Sequence, residues 1–338
     1  AYLEEQRLQA TIALPLYLKV ADTHPRAAEA HAGAARCYET ILVRMRDKKL
    51  PTVEFEQTAI KSLKSLIPDP KESTERLSIT QTETAVHFAA ILLLAEPPQF
   101  ENAEAILQTV IQSTAKVDEA DSQRERWLKL RQRAESLQVV AMAGHGHPLE
   151  AERLIVSLAK ASPRDLMVIV ERLAPFVASQ NRQRQLQYVT LQLHAIELLV
   201  PHKKSLSREE QDRLEQSQAR AYLVTGESGK ALEIYEQLAT ASAKDANRQR
   251  EIAGILSEAT AKECSVLAKQ CWRRAESLSK QGSADWFTAR LGVITASVKL
   301  NEQADAKKLL AVTKLLYPEL GGPELKKRFL ELEQKLGK

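Results

Sequence analysis

Two short stretches of this 338-residue chain carry the residue types from which catalytic or ligand sites are built. In Gly226-Glu227-Ser228-Gly229-Lys230 a lysine follows closely spaced glycines. Those are the ingredients of a phosphate loop, in which glycine N–H groups cradle phosphates, Lys reaches the terminal ones and a following Ser or Thr holds magnesium. The spacing defeats that chemistry. The first glycine of such a loop would fall at Val224, its magnesium ligand would fall at Ala231, and the preceding residues read as helix rather than strand. In Gly144-His145-Gly146-His147-Pro148 two histidines stand two apart on a turn. They could ligate a metal if carboxylates or thiols joined them. None is near in sequence, so the stretch reads as a helix-ending glycine and a proline that opens the next helix at Leu149. Neither a metal nor a cofactor is expected.

The other reactive residues are equally plain. Cys37, Cys264 and Cys271 are odd in number and widely spaced, and the last two fall two helical turns apart rather than in a CxxC pair. They read as core thiols. A nucleophile elbow, HExxH, paired Cys/His sites, dinucleotide fingerprints and a carboxylate pair in a loop are all absent. The expectation is therefore a protein with no catalytic residues. Trp127, Trp272 and Trp286 could anchor a ligand. Core packing is the reading adopted, since Trp272 lies on a stripe with Ala268 and Ala275, and Trp286 opens a helix.

What would position any site is a set of helices. Hydrophobic residues make up 44% of the chain and aromatics only 5%, with 11 glycines, a composition that suits Ala- and Leu-rich helices and leaves little for strands. No Asn-Gly or Asp-Gly hairpin signal separates alternating runs. The net charge of +4 comes from 48 basic and 44 acidic side chains spread along the chain. No basic stripe is available to neutralise a nucleic-acid backbone, and nucleic acid is not expected as a partner. The longest apolar candidate, residues 89–95, is far too short to span a membrane. The chain opens at Ala1 and reads at once as helix, which suggests a trimmed or processed segment of a longer protein.

A loose pattern recurs along the chain. Ala13, Tyr17, Val20 and Pro25 share their offsets with Ala151, Ile155, Leu158 and Pro163, and with Ala306, Leu310, Thr313 and Pro318. Offsets of four and seven place side chains on one helical stripe, and a small Ala lets a neighbouring helix approach. The proline marks where the next helix begins. Further second-helix candidates near Ala59, Ala103, Val189 and Ala268 bring the total to roughly eight helix pairs of about forty residues. Breaks fall at 68–73, 96–100, 143–148, 200–207 and 280–285. Ser122 with Glu125 and Ser207 with Glu210 have the spacing of capping boxes. Residues 323–338, with Leu325, Phe329, Leu332 and Leu336 alternating with Lys and Glu, read as an amphipathic capping helix.

These residues resemble the tetratricopeptide repeat, whose second helix carries Ala, an aromatic and a small residue before a terminal proline. The resemblance is carried by Ala13, Tyr17 and Pro25 followed by Ala35 and Tyr38, and by Ala219, Tyr222, Gly226, Ala231 and Tyr235. Val20 and Leu238 replace a small residue, and His31 and Glu215 replace the usual aromatic, so the chain is tetratricopeptide-like. The resemblance implies an all-α superhelix over 1–338, forming a single repeat domain with a concave groove lined by first helices. It places Arg36, Arg133, Arg213 and Arg220 on that groove, which implies an acidic or C-terminal peptide as ligand. The alternative for these arginines is solvation, or pairing with Glu on the same helix. Arg36 and Arg220 occupy slots where carboxylate-clamping members carry Asn, which argues against a chaperone-tail specificity. The function implied is a scaffold or adaptor that binds a protein or peptide; the alternative is a structural or self-assembly module within a larger protein.

Overall fold

A computed structural model describes residues 2–6, 9–67, 76–115, 117–118, 121–163, 165–177 and 182–337. Every regular element among them is helical, and none is a strand. No described helix is long and apolar enough to cross a membrane. The chain divides after Ser205 into two compact units.

The first unit runs through α1 (Tyr2–Gln6), α2 (Ala10–Tyr17), α3 (Ala27–Asp47), α4 (Val53–Lys64), α5 (Ile79–Leu94), α6 (Phe100–Thr114), α7 (Arg124–His145), α8 (Pro148–Ala161), α9 (Asp165–Val177) and α10 (Arg182–Leu199), closed by a 3-10 turn, Val200–Ser205. Each helix packs on the next, and α3, α5, α7 and α9 also touch in succession. The second unit holds α11 (Arg208–Thr225), α12 (Ser228–Ala241), α13 (Ala246–Glu258), α14 (Lys262–Leu278), α15 (Ala284–Lys299), α16 (Gln303–Leu316) and α17 (Pro323–Gly337). Neighbours pack there in the same manner, and α17 lies against both α15 and α16. The arrangement is helical and repeat-like.

The stripes explain this packing. Ala13 and Tyr17 of α2, Ala151, Ile155 and Leu158 of α8, and Ala306, Leu310 and Thr313 of α16 are all buried. The same offsets are filled at Ala103, Leu107 and Val110 in α6 and at Ala231, Tyr235 and Leu238 in α12. A second device, invisible as periodicity, accompanies them. Three helices carry a glycine where the preceding helix presents a ring: Gly33 faces Tyr17, Gly144 faces Phe100, and Gly292 faces Trp272. A β-carbon at these sites would come within 2.3–2.4 Å of the ring atoms, so only glycine admits the approach.

The helix ends follow capping chemistry. Ser207 and Glu210 form the expected capping box, and a second one joins Ser78 and Gln81 at the start of α5. Gly146 and Gly226 close α7 and α11 in the left-handed conformation, and Pro148 occupies the first turn of α8. The box expected at Ser122 and Glu125 is not formed. Helix α7 starts at Arg124 with Gln123 as its cap, because Asp121 accepts the Gln123 N–H at 2.7 Å and turns the chain one residue later. The breaks at 96–100, 143–148, 200–207 and 280–285 coincide with helix ends, and the break at 68–73 lies outside the described residues. In α17, Phe329, Leu332 and Leu336 are buried as the amphipathic pattern predicts.

Candidate binding site

Two groups of charged side chains in the first unit are built around the helices that touch in succession. Arg36 of α3 donates from Nε to Glu5 of α1 at 2.6 Å and from a terminal nitrogen to Glu83 of α5. Arg126 of α7 also donates to Glu83, and the Tyr17 hydroxyl donates to Glu5 at 2.6 Å. Three residues along α3, Glu39 is the centre of a second group. Its carboxylate lies 2.6 Å from Nδ1 of His87 on α5, 2.5 Å from Arg133 on α7 and 3.7 Å from Arg172 on α9. One buried carboxylate thus receives side chains from three other helices.

Burial and charge set the protonation of these groups. Burial alone would raise the Glu39 carboxyl, but the His87 hydrogen bond and the Arg133 and Arg172 charges outweigh it and hold the group down at about 2. Burial lowers His87, so the imidazole stays neutral and its Nδ1–H is the natural donor to Glu39. Glu5 and Glu83 are also held low, against burial, by their arginine partners, and Arg36 is raised by the same pairs. Both Glu39 and His87 are depressed in the fold, so the unfolded chain takes up protons first as pH falls. The His87 contribution is complete above about 6.5 and is lost below it; that of Glu39 is complete above about 4.5 and is lost as pH falls toward about 2. Thermal melting between these two upper values should therefore slope downward with acid, and His87→Gln should flatten the slope; an unchanged slope in the variant would assign it to other groups.

Beside the outer group opens a cavity of about 410 Å³, bordered by Tyr17, Val20, Arg36 and Arg126 and by Arg26 paired with Glu29. Arg36 is already satisfied by two carboxylates, whereas Arg126 keeps 47% of its side chain exposed. Arg36 and Arg133 both sit on the helices that touch in succession, each tied to a carboxylate on another helix rather than on its own. Arg213 and Arg220 are exposed on α11 of the second unit. Sequence reasoning passed over Glu5, Glu39, Glu83, His87, Arg126 and Arg172. A signal was present in α5, where His87 interrupts the apolar run from Ala85 to Leu94 one turn after Glu83 and could be buried only with a partner.

Cys37, Cys264 and Cys271 are buried free thiols, and burial pushes Cys37 and Cys271 up to about 11. Trp127 and Trp286 are buried and Trp272 partly so. Lys230 of the glycine-rich stretch pairs with Glu227, and a helix precedes it. At the other motif, Gly146 turns the chain so that His145 and His147 both reach Glu104 of α6, the former at 2.7 Å and the latter at 3.3 Å. No protein-family model matches the chain, and no curated protein matches it.

Proposed function

We propose that the chain is a non-catalytic scaffold of tetratricopeptide-like helix pairs that holds an acidic peptide or protein segment in a concave groove lined by its first helices. The observation that carries this reading is the cavity at the N-terminal end of the first unit, with the exposed edge of Arg126 above a seam of matched charges. Buried pairs of this kind hold a surface in one shape, and a pre-shaped surface costs less ordering when a ligand arrives. The anionic contact belongs to Arg126, which shares Glu83 with Arg36 but leaves more of its side chain exposed, whereas Arg36 is held by both Glu5 and Glu83. Panning a displayed random-peptide library against the full chain tests the proposal: acidic sequences should be enriched, and Arg126→Glu should abolish their binding. No enrichment, or peptides that bind the variant equally well, would remove it.

A second reading, self-assembly within a larger protein, is favoured by α16, which leaves Val312, Leu315 and Leu316 exposed on adjacent turns. Light scattering separates the two, since a monomer at working concentrations supports the scaffold alone.

A further inference from the structure

We propose that Glu104, His145 and His147 form a binding site for a late first-row divalent cation, with Zn2+ as the type. The three come from different elements: Glu104 from α6, His145 from the last position of α7, and His147 from the residue that caps α8. Their ligating atoms all lie within 4.8 Å of one another. In a tetrahedral zinc site with bonds of about 2.0–2.1 Å, neighbouring ligand atoms stand about 3.3 Å apart. The 3.3 Å from Glu104 to His147 matches that value and the 2.7 Å from Glu104 to His145 is shorter, so a cation fits once the His145 ring and the carboxylate move apart by about half an ångström.

The backbone explains why the two rings converge. Gly146 adopts φ +101°, a left-handed conformation that other residues take only under strain, and it brings the flanking rings to a 4.7 Å centroid separation at an angle of 58°. The turn is held by a bond from the His147 N–H to the Met142 carbonyl at 2.8 Å, and Pro148 fixes the start of α8. A rigid turn presenting two imidazoles to one carboxylate is a preorganised donor set. Two imidazole nitrogens and one carboxylate suit Zn2+, Co2+, Ni2+ or Cu2+ far better than Mg2+ or Ca2+, which prefer all-oxygen sites. Glu104 is only partly exposed, while both histidines reach solvent, so the fourth position is open to water. The bound cation would join α6 to the α7–α8 turn. This inference does not depend on the groove reading.

The test uses the full chain, freed of any affinity tag and of metal by chelator dialysis, and titrated with ZnCl2 by calorimetry. One equivalent should be taken up, with the affinity falling at acid pH as protons compete for the imidazoles. Glu104→Gln and His147→Ala should each weaken binding by at least about tenfold, while far-UV circular dichroism stays unchanged. As a second measurement, Co2+ added to the unaltered chain should develop visible d–d absorption that Zn2+ then abolishes. No uptake at metal concentrations near that of the protein, or uptake unaltered in His147→Ala, would overturn the assignment.

Discussion

Glu39→Ala is expected to lower the stability of the first unit by about 3 kcal/mol, read from the urea midpoint of its unfolding. The carboxylate is almost fully buried, and its removal leaves Arg133 and Arg172 facing one another without a counter-charge and His87 without its acceptor. The figure sits at the low end for breaking a buried pair because both arginines retain access to water. The loss should come from stranded charge and not from lost volume. Changing Glu39, His87, Arg133 and Arg172 together to apolar residues of similar size should therefore recover most of it, since a fully apolar replacement removes the desolvation penalty as well as the attraction. A midpoint unmoved by Glu39→Ala would mean that the two arginines are well hydrated without it.

Gly292→Leu should cost a comparable amount, about 3 kcal/mol, for an unrelated reason. Helix propensity favours the change by roughly 1 kcal/mol. Against that, the new β-carbon alone would lie 2.3 Å from the Trp272 indole, whose N–H is engaged with Ser257 at 3.1 Å and whose ring is rigid. Overpacking wins. Replacing Trp272 by Ala in the same chain should return part of the stability by freeing the space the leucine needs, and the urea midpoint of the double variant reports it. If Gly292→Leu alone is neutral, α14 and α15 can separate more readily than their packing implies.

The two substitutions mark the boundary of what was legible in the chain. Residues that repeat with a local period declared themselves: the Ala13–Tyr17 and Ala151–Ile155–Leu158 stripes, the glycine and proline at the α7–α8 turn, and the amphipathic α17 are all buried or placed as their spacing implied. The capping box at Ser207 was equally readable, whereas the one at Ser122 lost to an aspartate one residue earlier, a competition between two local hydrogen bonds that spacing alone does not decide. The charged seam was out of reach for a different reason. Glu39 meets His87 across 48 residues and Arg133 across 94, and Glu104 meets His145 across 41. Such partners are selected by which helices come to touch, and no period encodes it. Arg36 and Arg133 were noticed for their charge, yet the carboxylates that engage them lie on helices far away in the chain.

Glu39 has a kinetic consequence. A row of helix hairpins that contact only their neighbours can peel from either end, each turn leaving without disturbing the rest. Here a single carboxylate is gripped from α5, α7 and α9, so none of the three can detach without taking a partner from the buried Glu39 charge. Amide protons from α3 to α9 should consequently share one opening event and exchange at a common rate, and the first unit would behave as a clasp, fully shut or fully undone, instead of a zipper.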